Sequence, residues 1–256
     1  MNKKILKYVF FELLRNKFIW IYTLLLMMMS LTVIYLGQNS SKSVISILNI
    51  VLFIIPLVSI VFGTIHFYNS GEFVEFLLTQ PLNRKTIFWS EYFGITLAFS
   101  VVFIVGVGMP LLVLSFSVTG IYLIITGLIL TYVFISLEFL SSVINKDKVK
   151  GIGLSIILWI YFSVIFDGLI LSVFYLFRDY PLNKLIIFLT SLNPVDLSRI
   201  TILLQVDISA LMGFSGATFQ NYLGTATGKI YSFFILFIWI LIPSYLSYRK
   251  FNKKNF

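Results

Sequence analysis

The stretch SGEFVEFLLTQPLNRKTIFWSEYFG (Ser70–Gly94) carries Glu72, Glu75, Arg84, Lys85 and Glu91, in a chain that spends only 11% of its residues on charge. Long apolar runs flank it on both sides. The 256 residues are 59% hydrophobic with a mean hydropathy of +0.99, and several runs exceed the roughly 20 residues that a helix needs to cross a bilayer. One soluble core could not hide that surface. The runs are continuous, where barrel strands would be short and alternate in polarity, so the class is an all-α integral membrane protein.

Six transmembrane helices are expected, near 18–37, 44–66, 92–114, 119–143, 151–177 and 230–248. An even number places both ends on one side of the membrane, and the basic residues choose which. Lys3, Lys4, Lys7, Arg15 and Lys17 precede the first span, Arg84 and Lys85 follow the second, Lys146, Lys148 and Lys150 follow the fourth, and Arg249, Lys250, Lys253 and Lys254 follow the sixth. Only Lys42, Arg178, Lys184, Arg199 and Lys229 fall opposite, so the positive-inside rule gives N-in, C-in. The net charge of +9 thus marks orientation and not nucleic-acid binding. The absence of cysteine excludes a disulfide framework and a thiolate metal site.

The organisation expected is an amphipathic helix over 1–17, a six-helix unit over 18–248 with an inner loop at 67–92 and an outer segment at 178–229, and a basic cytoplasmic tail over 249–256. In the first of these, Ile5, Leu6, Val9, Phe10, Leu13 and Leu14 recur at helical spacing with basic residues between them, the pattern of a helix lying along the inner leaflet. The run from Phe18 is too long for a signal peptide and lacks a small-residue cleavage site.

In the inner loop, Phe73, Phe76 and Leu77 follow an i, i+3, i+4 pattern, with Glu72 and Glu75 on another face. Pro81 stops this short helix, and a second begins near Thr86 and runs through Trp89 into the third span. The result is a helical elbow beneath the membrane. Acidic residues suit an anionic leaflet poorly, which favours a protein partner over headgroups.

The wording GEFVEFLLTQPLNRKTIFWSEYFG resembles the first coupling-helix region of ABC-2-type permeases, where a Glu-led helix ends at a Pro followed by basic residues. The inner amphipathic helix, the six spans and the long outer excursion before the sixth are similar to that family too, a type V exporter-like plan. The stretches NKDKVKGIGLSIILWIYFSVIFDGLIL and LNPVDLSRITILLQVDISALMGFSGATFQ, with Phe73-Val74 where exporters often carry Gly-Thr, resemble the branch serving copper-site maturation of nitrous oxide reductase, a denitrification enzyme. The resemblance implies a homodimer in the bacterial inner membrane, a cytoplasmic ABC ATPase subunit beneath each copy, and a periplasmic β-helix protein above. ATP and Mg would sit on the ATPase, copper on the periplasmic partners, and no cofactor in this chain. It implies that Glu72, Phe73, Glu75, Phe76, Leu77 and Pro81 seat in an ATPase groove, with Arg84 and Lys85 at its rim. Two other functions stay open: an ABC-2 exporter of a hydrophobic or sulfur-containing small molecule, and a non-ABC membrane anchor for a periplasmic protein.

In the outer segment, Asn193 reads as an N-cap, Pro194 as the first helical residue and Asp196 as a first-turn acid, with Arg199 spaced to pair with it. Met212, Phe214, Phe219 and Tyr222 supply apolar and aromatic groups near the outer surface. By position the aromatics read as membrane-interface anchors, while the resemblance implies that this segment, with Asn193, Pro194, Asp196 and Arg199, contacts the outer partner. GTATGKI (Gly224–Ile230) falls one residue short of a phosphate-binding loop and lacks Ser or Thr after Lys229.

Glu138 and Asp167 are intramembrane polar residues, a costly placement. Counting about 1.5 Å per residue, Glu138 lies about 8 Å from the inner end of its span and Asp167 about 24 Å from the inner end of the next, too far apart to pair. Glu138 is expected to reach a helix end or the basic Lys146–Lys150 run, and Asp167 to be protonated or bonded across the dimer seam. Met27, Met28 and Met29 splay about 100° apart and read as packing or lipid contact. His66 reads as a hydrogen-bonded interfacial side chain, since a ligand His needs companions. No metal site and no intramembrane protease motif is expected. Gly106, Gly108 and Pro110 mark a kink in the third span.

Overall fold

The computed structural model describes residues 2–37, 40–177, 183–205, 219–220 and 222–253, and within them helix is the only regular structure. Short polar side chains set several helix starts by accepting an orphan backbone N–H. Asn2 Oδ1 receives Lys4 N at 3.0 Å and opens α1 (Lys3–Arg15). Asn16 Oδ1 receives Phe18 N at 3.0 Å and opens α2 (Lys17–Leu36). Next come α3 (Ser40–Asn69), the short α4 (Gly71–Thr79), and α5, which runs Arg84–Phe103, widens into a π turn at Ile104–Gly108 and ends with Met109–Leu114. Ser117 and Asp147 cap α6 (Val118–Ile144) and α7, the latter running Lys148–Ile160, π turn Tyr161–Ile165 and Phe166–Leu176. Between the fifth and sixth spans lie α8 (Asn183–Ser191) and α9 (Pro194–Leu203), and α10 (Ala226–Lys253) follows.

Among the described residues six helices are long and apolar enough to cross a membrane: Lys17–Leu36, Ser43–Asn69, Arg84–Leu114, Val118–Ile144, Lys148–Val173 and Ala226–Lys253. These are the six expected spans. The protein is a multi-pass membrane protein of the all-α class. At its centre α6 packs against α3 and α10, with α5 alongside and α7 against α3. The outward faces of α2 and α7 stay exposed and apolar at Leu24, Met28, Val164 and Leu169, as suits lipid or another chain. Met27, Met28 and Met29 are all exposed there.

The third span carries a π turn at VGVGMP, and a local reason is at hand. Pro110 has no N–H to give the Gly106 carbonyl, four residues back, and Ser30 Oγ of α2 donates to it instead at 2.8 Å. A Cβ at Gly106 would stand 2.8 Å from Leu26 Cβ, so the glycine is what lets α2 come close enough. In α1, Ile5, Val9 and Leu13 are buried against α5, where the absence of a side chain at Gly94 admits Val9. At the other end α10 continues into the basic tail as far as Lys253, and Phe251 is buried beside Phe88.

Candidate functional site

The inner elbow is built at the join of α3 and α4. Pro81 and the extended Gln80 end α4 after nine residues, and α5 starts at Arg84. Val74 and Leu77 turn inward, while Phe73 stacks on Tyr8 of α1 with ring centroids 4.6 Å apart. Glu72, Glu75, Phe76 and Thr79 are exposed. These four stand at i, i+3, i+4 and i+7, one continuous stripe with two acids and an aromatic knob. Of the three apolar residues expected to seat in a partner groove, Phe76 is 60% exposed, Phe73 is engaged by Tyr8, and Leu77 is buried beside Val74. Arg84 is turned back: its Nη1 donates to the Asn252 carbonyl at 3.1 Å, tying the elbow to the end of α10. Lys85 is exposed.

Behind the stripe lies a buried carboxylate. Ser70, between α3 and α4, donates through Oγ to Glu91 Oε1 at 2.8 Å, and Glu91 Oε2 has no partner among the described residues. Glu91 is 2% exposed, although its neighbours in sequence suggested a surface helix. The signal was present: Ile87, Glu91 and Ile95 share one face of α5, and that face is buried. Asn2 N donates to Ser90 Oγ at 2.8 Å, fastening the start of α1 to the same turn. Around it Phe88, Tyr92, Phe139 and Phe251 form an aromatic cluster joining α5, α6 and α10. A movement of α4 therefore meets a packed core at once.

Glu138 is fully enclosed and does not reach the Lys146–Lys150 run or a helix end. Its Oε1 accepts from Ser142 Oγ at 2.9 Å, and its Oε2 lies against the bare backbone of Gly63 with no partner among the described residues. Hydroxyls knit the neighbouring helices: Thr64 and Ser155 share a hydrogen bond of 2.7 Å, Ser155 and Ser141 one of 2.9 Å. His66, expected to be hydrogen-bonded, has an Nε2 without a partner among the described residues.

The outer elements make a second polar cluster. Asn193 caps α9 through Val195 N at 2.9 Å, as the sequence indicates, and its amide also donates to Asp196 Oδ2 and to the Phe162 carbonyl, both in reach at 2.9 and 2.8 Å. Phe162 lies in the π turn of α7, where the regular i to i−4 ladder is interrupted. Arg199 bridges Asp196 at 3.2 Å and Asp167 at 2.9 Å. Asp167 is thus paired within its own chain, with Arg199. Burial pushes the Asp196 carboxyl up to about 7, the neighbouring Asp167 adding to the shift and Arg199 opposing it.

Asn193, Pro194 and Asp196 are therefore spent on internal packing, Arg199 is half-buried in its ion pairs, and Phe219 is buried beside Leu197 and Leu223. Tyr222 is 46% exposed, and Met212 and Phe214 lie outside the described residues. GTATGKI is the start of α10, with Thr225 Oγ1 accepting Gly228 N at 3.1 Å.

Known proteins are similar to this chain in sequence. A family model described as ABC-2 family transporter protein matches residues 4–256. The probable ABC transporter permease protein NosY of Stutzerimonas stutzeri is 23% identical over 264 residues, covering 94% of this chain and 94% of that protein. The protein of the same description from Pseudomonas aeruginosa is 24% identical over 221 residues, 78% of this chain and 80% of its own length.

Proposed function

Because this chain belongs to the ABC-2 transporter family, we propose that it is the permease through which a separate, NosF-like ATPase subunit drives a NosD-like β-helix protein outside, in the copper-site maturation of nitrous oxide reductase. Two copies of the chain work as a homodimer, each with an ATPase beneath. The observation that carries this reading is the exposed stripe of α4, Glu72, Glu75, Phe76 and Thr79. An aromatic knob between two acids fits a partner groove that is apolar at its base and basic at its edge.

The stripe also has the mechanics that coupling requires. Pressure on α4 reaches α5 through the Ser70–Glu91 bond, α1 through the Phe73–Tyr8 stack, and α10 through Arg84 and the Phe88–Phe251 contact. From α10 and α6 the packing continues to α9 on the far side. A route of contacts is a physical path, and the equilibrium it biases is the relative position of α4 and α9. Copper itself does not travel through the chain in this reading: with one His, no Cys, and Met27, Met28 and Met29 splayed around one helix, it lacks the stack of soft ligands that passage would need.

Reversing both acids, Glu72→Lys with Glu75→Lys, is expected to abolish recovery of the co-expressed ATPase subunit in a pull-down, with Phe76→Ala reducing it. Undiminished recovery with the double reversal would overturn the docking surface. Vesicles loaded with the chain and its ATPase are expected to hydrolyse ATP without accumulating copper; ATP-dependent copper uptake would defeat the mechanical reading.

A further inference from the structure

The corner between α1 and α2 stands over the inner end of α3, and between them lies a cavity of about 370 Å³. Ile19, Phe62 and Ile65 give it an apolar wall, and all three belong to the spans. Glu12 and Asn16 face them from outside the spans, with His66 and Asn69 at the end of α3. The cavity therefore straddles the membrane–water boundary. Its polar side is incompletely used. Asn16 Oδ1 is taken by Phe18 N and Asn69 Oδ1 by Lys148 Nζ, which leaves the two amide NH2 groups as donors. Glu12 has no cationic partner among the described residues, although it shares its helix with Lys4, Lys7 and Arg15. Burial raises its carboxyl above the ordinary value. Glu12 also edges a neighbouring cavity of about 600 Å³ whose rim is Lys4, Lys7 and Arg15.

Three features converge: the Glu12 carboxylate, the amide donors of Asn16 and Asn69, and the apolar wall. We propose that this cavity binds one aminophospholipid of the phosphatidylethanolamine class, its ammonium on Glu12, its phosphate toward the Asn16 and Asn69 amides, and an acyl chain along Ile19, Phe62 and Ile65. Phosphatidylglycerol would bring no cation to Glu12. Phosphatidylcholine would bring a charge without N–H donors, too bulky for a direct bond to the carboxylate. The bound lipid would pin α1 to α3 and so steady the elbow next to it. The assignment goes beyond the coupling role and does not depend on it.

The test uses the full-length protein in mild detergent, supplied in turn with phosphatidylethanolamine, phosphatidylglycerol and phosphatidylcholine of identical acyl chains. Native mass spectrometry then follows the adducts as collision energy rises. One phosphatidylethanolamine is expected to survive energies that strip the other two. Glu12→Gln is expected to weaken its retention about fivefold, the size of one charge-assisted contact at a half-exposed site. Equal retention of all three lipids by the unaltered protein would overturn the proposal without reference to any variant. So would Glu12→Gln that keeps the preference intact, or phosphatidylcholine held as firmly as phosphatidylethanolamine.

Discussion

At the scale of single residues, the contact that decides most is Ser70 to Glu91. A carboxylate closed off from water with one oxygen already unpartnered depends on the hydroxyl that meets the other. Removing that donor from a buried acceptor costs about 1–3 kcal/mol, whereas deleting both partners in favour of apolar groups is close to neutral. Ser70→Ala is therefore expected to lower the thermal midpoint of the detergent-solubilised protein, and Ser70→Ala in a Glu91→Leu background to change it little. Equal midpoints for Ser70→Ala and the unaltered chain would show that the bond contributes nothing. This pair was only half legible in the sequence. Glu91 lies in a row with Ile87 and Ile95, but the charged residues around it suggested solvent, and the distance from Ser70 along the chain hides their meeting. Asp167 was misjudged for the same reason: its partner Arg199 is 32 residues away, and no periodicity within either helix announces it.

Whole elements were read more securely, because a span of apolar residues has one physical meaning while an amphipathic stripe has two. The six spans and an irregular turn at VGVGMP follow from length, hydropathy and a missing N–H. What α1 packs against does not follow, since Ile5, Val9 and Leu13 would suit a lipid surface or a neighbouring helix equally well. Gly94 decides it, by leaving room that Val9 occupies; a Cβ there would stand 2.9 Å from Val9 Cβ. Gly94→Leu is expected to overpack this seam by about 1–3 kcal/mol and lift α1 from α5. The chain has no cysteine, so a pair introduced at Tyr8 and Phe73, whose rings stack at 4.6 Å, reports the position of α1 directly. Oxidation is expected to join Tyr8→Cys to Phe73→Cys efficiently in the parent sequence and poorly once Gly94→Leu is added. Unchanged yield would mean that α1 is not seated by this glycine.

For the molecule as a whole, the coupling reading requires that the stripe on α4 face the compartment that holds ATP. Six spans imply that the elbow, the 145–147 connection and the two ends of the bundle share a side; the distribution of lysine and arginine predicts that this side is the cytoplasm. Each basic group left outside would face the energetic bias of the membrane potential and the anionic inner leaflet, about 1 kcal/mol for each residue near the surface. The cysteine-free chain again allows a direct measurement. Single cysteines at the exposed positions Lys85, Lys250 and Tyr222 can be challenged with a membrane-impermeant maleimide on intact spheroplasts. Lys85→Cys and Lys250→Cys are expected to react only after the membrane is opened, and Tyr222→Cys at once. The reverse pattern would put the Glu72–Thr79 stripe outside, where no nucleotide-hydrolysing subunit can reach it, and the chain could not then be the lever of an ATP-driven machine.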